Sequence, residues 1–325
     1  MRLLVIGGTV FVGRAVVEVA LARGDHVTIF HRGRHGRGRF DGRADVVLGD
    51  RVTDLDRLAG RRWDAVVDTC GFDPAHVAAS ASRLAGAVDQ YVFVSTAGVY
   101  RDWPMRPVPD EGAPLHEGDE DDYSVAKAAC ERAIDAAMPG RAAHVRAGVI
   151  VGPYENIGRL PWWLRRMARG GPTLAPAPPE APVQHIDVRD LADFILRLAR
   201  ERVAGPFNAV SRPGEWSWGE LLEACRAATG ARAELVWTDP ARVAAAVEDA
   251  WSELPLWPIP GAAGLYAVGA ERARSAGLRI RPIAETVTDT WRWLSGPDGA
   301  LDDWRSEVRA TGLDAQRERA LLAAA

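Results

Sequence analysis

Cysteine, lysine and long apolar runs are scarce in this chain. Its 325 residues hold three cysteines, Cys70, Cys130 and Cys225, with no Cys-x-x-Cys pair and no Cys/His ligand spacing. That excludes a disulfide framework, gives no metal signature, and fits a chain kept reduced in the cytoplasm. No stretch of 18 uncharged apolar residues occurs, so no membrane span is expected. The N-terminal segment imitates a signal peptide until Arg14 and Glu18 interrupt it. Charge of one sign is also lacking: the net charge is −4, which supplies no global attraction to nucleic acid or to an anionic membrane. What is present, 47% hydrophobic and 26% charged residues, describes an ordinary globular protein, long enough for roughly two structural units.

Lysine is the most informative scarcity. Of 40 basic residues all but Lys127 are arginine, so a plain positive charge elsewhere is always a guanidinium. An ammonium differs in being compact and tunable in pKa. Lys127 stands four residues after Tyr123 in Tyr123-Ser124-Val125-Ala126-Lys127, and with 5 tyrosines in 325 positions chance gives that relation about once in sixty-five. In a helix the two side chains share a face.

Along the chain, the apolar run Leu3 to Ile6 enters Gly7-Gly8-Thr9-Val10-Phe11-Val12-Gly13, and helical spacing follows from Val16 to Leu21. Further strand candidates are His26 to Phe30, Val46 to Leu48, Ala65 to Val67, Tyr91 to Val94, His144-Val145 with Val149 to Val151, and Pro206 to Val210. Alternating β and α segments of these lengths predict an α/β fold, a Rossmann-type doubly wound parallel sheet covered on both faces. After Gly152-Pro153 the rhythm breaks at Trp162, Trp163 and the Pro-rich Ala175 to Pro179. The expected organisation is a dinucleotide-binding unit over 1–155 and 183–212, with a smaller, discontinuous C-terminal substrate lobe over 156–182 and 213–325. The many tryptophans of that lobe read more readily as packing than as a substrate pocket. The connection from Arg101 to Asp122, with Glu111, Glu117, Asp119, Glu120, Asp121 and Asp122, reads as a solvated acidic loop or lid.

The glycine-rich turn suits a pyrophosphate, because backbone N–H groups and a helix N-terminus can approach it there. Gly7, Thr9, Phe11, Val12 and Gly13 are the expected contacts, although Val10 replaces the central glycine of the G-x-x-G-x-x-G spacing and a turn without ligand is the alternative. After the second strand stands His31-Arg32-Gly33-Arg34 rather than a carboxylate. Arginine there accommodates the 2′-phosphate of NADP(H), which favours that cofactor through Arg32 and leaves NAD(H) as the alternative. Arg37, Arg39 and Arg43 continue the basic run, which reads as a solvated loop more readily than as a local RNA contact, nucleic acid being the less expected partner. Asp50, after the third strand, is a candidate adenine contact or a turn-capping aspartate.

Together the turn from Gly7 to Gly13, the segment Val94-Ser95-Thr96-Ala97-Gly98-Val99-Tyr100, Tyr123 with Lys127, Gly152-Pro153 and His185 to Leu191 resemble the extended short-chain dehydrogenase/reductase family, its NAD-dependent epimerase/dehydratase group. The resemblance implies a Thr/Tyr/Lys active site: Tyr123 as general acid/base, Lys127 lowering the phenol pKa and holding the nicotinamide ribose, and Thr96 orienting the substrate oxygen. A free phenol, at pKa about 10, needs a shift of some three units to work near neutrality. Cys70 matches a family position that lines the cofactor, where a buried structural thiol is the other reading. Family dehydratases carry Asp-Glu after the threonine, and this chain has Ala97-Gly98; nucleotide-sugar enzymes commonly have asparagine where Val149 stands. The implied function is an NAD(P)-dependent oxidoreductase, an NADPH-dependent carbonyl reductase acting on a small molecule. The alternatives are an NAD-dependent sugar-nucleotide epimerase and, because Gly-Gly-Thr-x-Phe-x-Gly also resembles the chloroplast stem-loop RNA-binding branch, a non-catalytic nucleotide- or RNA-binding protein. Family members often pair through the helix carrying the tyrosine, so a homodimer is a further expectation.

Overall fold

Leu3, Leu4, Val5 and Ile6 are all apolar, which suits a strand covered on both faces rather than one with a wet side. In the computed structural model, which describes residues 1–118, 122–299 and 311–323, they form β1 (Arg2–Ile6), an interior strand of a seven-stranded sheet. The others are β2 (His26–His31), β3 (Asp45–Leu48), β4 (Trp63–Asp68), β5 (Val88–Thr96), β6 (Ala142–Ala147) and an edge strand, Gly205–Ala209. The spatial order is edge strand, β6, β5, β4, β1, β2, β3, and every pairing is parallel. Chain direction across the sheet reverses between β1 and β4, so a crevice opens at the carboxyl ends of those strands.

Helices α1 (Phe11–Ala22) and α5 (Val188–Glu201) cover one face through Val16, Val17, Leu191 and Ile195. Helices α2 (Pro74–Leu84) and α3 (Tyr123–Ala137) cover the other through Val77, Leu84, Cys130 and Ile134. The doubly wound expectation is therefore met. The run Val149 to Val151 is not part of β6: Ile150–Val151 pairs instead with Ile186–Asp187 in a separate two-stranded ribbon.

A further core gathers α4 (Arg159–Ala168), α6 (Trp218–Thr229) and the helix Ile283–Leu294 around Trp163, Trp218 and Trp257, all fully buried. Trp162–Trp163 and Trp163–Trp218 meet edge to face at 4.6 and 5.0 Å, so these tryptophans are packing, as the sequence favours. Trp237 and Trp251 remain partly exposed.

The 101–122 connection differs from a wholly solvated loop. Glu111 is half-buried; its Oε1 accepts the Asn208 N–H at 2.8 Å and its backbone carbonyl accepts from Arg146 at 3.1 Å. Arg146 also pairs with buried Glu131 at 2.7 Å and donates to Tyr100, whose hydroxyl donates to Asn208 at 2.5 Å. A buried arginine needs such a complete set of acceptors, and Glu111 is thereby tied to the sheet. Glu117 and Asp122 are exposed, while Asp119, Glu120 and Asp121 lie outside the described residues.

Candidate active site

The glycine turn is built by close approaches that side chains would block. Gly7 and Gly8 take φ of +104° and +83°, and a Cβ on Gly13 would stand 2.6 Å from the Gly8 nitrogen. Helix α1 can cross over the turn only with glycine there. Val10, by contrast, sits at the helix N-cap with φ −130° and ψ 138°, an extended conformation open to any residue, and its side chain packs against the α1/α5 core. The missing central glycine thus costs this turn nothing in backbone freedom. Phe11 is buried with φ +36°, a conformation non-glycine residues adopt rarely. No side chain caps α1 and its first turn holds no acidic residue, so its leading N–H groups have no side-chain acceptor.

Around this turn stand Thr69, Cys70 and the arginine loop. A Cβ on Gly7 would lie 3.5 Å from the Cys70 sulfur. Burial and the Asp68 carboxylate push the Cys70 thiol up to about 11, with Arg32 among the groups acting the other way, so this is a neutral thiol. Asp68 is fully buried at the end of β4 and accepts from Arg51 at 2.8 and 3.2 Å, Tyr91 at 2.8 Å and the Cys70 N–H at 3.1 Å. Despite burial, Arg51 and these donors hold its carboxyl below the usual carboxylate range. Arg32 is exposed. Arg37 and Arg39 line a cavity of about 270 Å³ with Thr9, His31, Phe40 and Leu48, at the ends of β2 and β3. His31 is held below its ordinary pKa by burial, against the pull of Asp41, and its Nδ1 accepts the Gly33 N–H at 3.2 Å. Asp50 is engaged in its own turn: its Oδ1 accepts the Val52 N–H at 2.9 Å and its N–H donates to Asp54.

Thr96 ends β5, where its hydroxyl accepts the Gly98 N–H at 3.1 Å, and Tyr123 begins α3. The Tyr123 ring is 55% exposed, beside Phe72 at 6.4 Å. Desolvation raises the phenol above its usual value, while Thr96 and the charge of Arg159 oppose the rise. Lys127, one turn on, is buried; its Nζ donates to the carbonyls of Val94 at 2.6 Å and Gly71 at 2.9 Å and lies 4.0 Å from the Phe93 ring centroid. Burial drops its pKa to about 8 against the pull of Asp68 and Glu131. Arg159 is a residue sequence reasoning missed. It begins α4, with its Nη2 donating to the Ile150 carbonyl at 3.0 Å and its Nε to fully buried Glu155. Nothing in the local sequence marks it, because packing of the further core brings α4 to the crevice.

Residues 74–210 match the model described as the NAD dependent epimerase/dehydratase family. The chain is 28% identical over 264 residues to the 2′-dehydrokanamycin reductase of Streptomyces kanamyceticus, covering 69% of this chain and 73% of that protein. It is 25% identical over 249 residues to the chloroplast stem-loop binding protein of 41 kDa b of Arabidopsis thaliana, covering 70% of this chain. That match spans 63% of the plant protein, a little under two thirds of its length. The Bordetella bronchiseptica enzyme WbmH, solved in complex with NAD+, shares the fold with a TM-score of 0.69 at 18% identity over 91% of this chain and 99% of that one. Among the described residues no helix is long and apolar enough to cross a membrane.

Proposed function

From a chain whose residues 74–210 belong to the NAD dependent epimerase/dehydratase family, we propose a cytoplasmic NADPH-dependent reductase of small carbonyl compounds. The observation that carries this reading is the placement of Thr96 at the carboxyl end of β5 and Tyr123 at the start of α3, with buried Lys127 one helical turn after the tyrosine.

The residues around the crevice fit a nicotinamide dinucleotide. The turn from Gly7 to Gly13 with Thr9, Phe11 and Val12 offers uncapped α1 amides to a pyrophosphate. Arg32, Arg37 and Arg39 would take a 2′-phosphate, Cys70 would border the cofactor, and Lys127 would hold its ribose. Asp50, spent in its own turn, would contact the adenine only from its edge. The bound nicotinamide supplies the hydride. Thr96 donates to the substrate oxygen and fixes its place. Tyr123, its phenol held above the ordinary value in the cofactor-free protein, keeps its proton at neutral pH and can deliver it to the carbonyl oxygen as the alcohol forms, so the reductive direction suits it. Elimination of water lacks the Asp-Glu pair of the dehydratases here, since buried Ala97 and Gly98 follow the threonine.

The test is NADPH oxidation against a panel of small ketones and aldehydes, with NADH in parallel, after assay for nucleotide already bound. Tyr123→Phe should cut turnover by about 10²- to 10⁴-fold and leave the NADPH dissociation constant unchanged. Retained NAD with no net oxidation would instead indicate an epimerase, and failure to bind either nucleotide would leave a non-catalytic protein.

A further inference from the structure

Tyr154 follows Gly152-Pro153 at the point where the chain leaves the sheet, and it takes φ +65°. Glycine and asparagine accept that left-handed conformation readily, whereas an aromatic residue does so only when its surroundings enforce it. What the conformation achieves is visible: the Arg14 guanidinium lies 3.2 Å from the centroid of the Tyr154 ring. On the other side Trp293, near the end of the helix Ile283–Leu294, meets the same ring at 5.2 Å with an interplanar angle of 53°. Arg14 directly follows Gly13 in the first turn of α1. Its Nε donates to Glu18 at 2.7 Å, which orients the group, and its two Nη groups have no hydrogen-bond partner among the described residues. The Arg14 side chain is only 15% exposed, so a desolvated cation is held at the mouth of the glycine turn by residues from outside the sheet.

We propose that Tyr154 is a positioning residue of the dinucleotide site: packed between Trp293 and Arg14, it holds the Arg14 guanidinium for the cofactor pyrophosphate and closes the crevice over it. This rests on the nicotinamide-dinucleotide reading above. The ring does for Arg14 what a second carboxylate would do less well. It fixes the planar fork without placing a second negative charge beside that of Glu18, so both Nη groups are left for the phosphates. Release of the cofactor requires the Tyr154–Arg14 stack to part, which places the effect mainly on the dissociation rate.

The experiment uses Tyr154→Gly and Tyr154→Asn, both of which suit φ +65°, so loss of binding cannot be assigned to backbone strain. NADPH affinity and dissociation rate are read by tryptophan quenching and stopped flow, with AMP as a ligand lacking the pyrophosphate bridge. Both variants should weaken NADPH by about tenfold, mostly through faster dissociation, while AMP affinity stays near that of the unaltered protein. Tyr154→Phe, which keeps the ring, should bind like the unaltered protein. Arg14→Gln should show the same tenfold loss and a shallower salt dependence of NADPH binding. Unchanged NADPH affinity and dissociation in Tyr154→Gly and Arg14→Gln would overturn the proposal, as would equal losses for AMP. If the unaltered protein binds neither NADPH nor NADH, it is the cofactor reading itself that fails.

Discussion

Lys127 keeps a charge where few charges survive. Two carbonyl oxygens and the face of Phe93 replace its water, and burial still lowers its pKa to about 8. In the unfolded chain the same amine titrates near 10.4. Between those values the unfolded chain binds more protons than the folded one, so this group adds to stability as pH rises from about 8 to about 10.4. Its ammonium, the form able to hold ribose hydroxyls, is lost over the same interval. Cofactor affinity and the Lys127 contribution to stability should therefore move in opposite directions as the solution is made alkaline. NADPH titrations and urea midpoints from about pH 7 to about pH 9.5, in the unaltered protein and in Lys127→Met, check this. The variant should bind weakly and without this pH dependence, and a flat affinity profile in the unaltered protein would refute the assignment. Lys127 was legible because a lone lysine in an arginine chain, four residues after a tyrosine, needs a chemical reason. Arg159 was not, since it is one arginine among many and its place beside the phenol follows from how α4 packs.

At the scale of the element, Tyr123 is the first residue of α3, so its phenol is only as well placed as that helix start. Asp122 secures it, accepting the N–H groups of Ser124 at 2.8 Å and Val125 at 3.2 Å. Asp122→Ala should cost about 1 kcal/mol and lower the melting temperature by a few degrees. The larger effect should fall on kcat, because Lys127 is held one turn deeper by Val94 and Gly71 and keeps its place when the first turn frays. Asp122→Asn, another good cap, should restore both; a variant that lowers KM and kcat together without loss of stability would speak against the cap. The same scale explains what the glycine pattern could and could not tell. The motif identified the turn, but only the backbone shows that Gly13 is obligatory and that Val10 stands in an ordinary extended conformation. Sheet strands were readable where they are mostly apolar, as in β1. The ribbon Ile150–Val151 was not separable from β6 by that criterion, since Val145 and Val149 to Val151 are short apolar pieces only a few residues apart.

At the scale of the molecule, the helix Ile283–Leu294 is fastened to α5 by ion pairs that no local pattern announces. Arg281 donates to Asp190 at 2.8 Å through both its backbone and its side chain, and Arg189 reaches Asp289 at 2.5 Å. Asp190 and Asp187 are buried, so these pairs can be broken only at the cost of leaving a charge unpaired. The sheet and the further core are thereby coupled, and a ligand in the crevice should stabilise the whole chain rather than one part. NADPH at a hundredfold its dissociation constant adds about 2.7 kcal/mol to unfolding, enough to raise the melting temperature by about 4 °C. NADH at the same concentration should raise it less, because the cavity lined by Arg37 and Arg39 would then face no 2′-phosphate. Replacing both arginines by glutamine should bring the two shifts together by lowering the NADPH shift alone. Differential scanning calorimetry decides between outcomes: one transition moving as a unit is expected. An equal shift for both nucleotides in the unaltered protein would remove the arginine loop from cofactor selection, and a second, unshifted transition would show that the ion pairs on α5 do not couple the two cores.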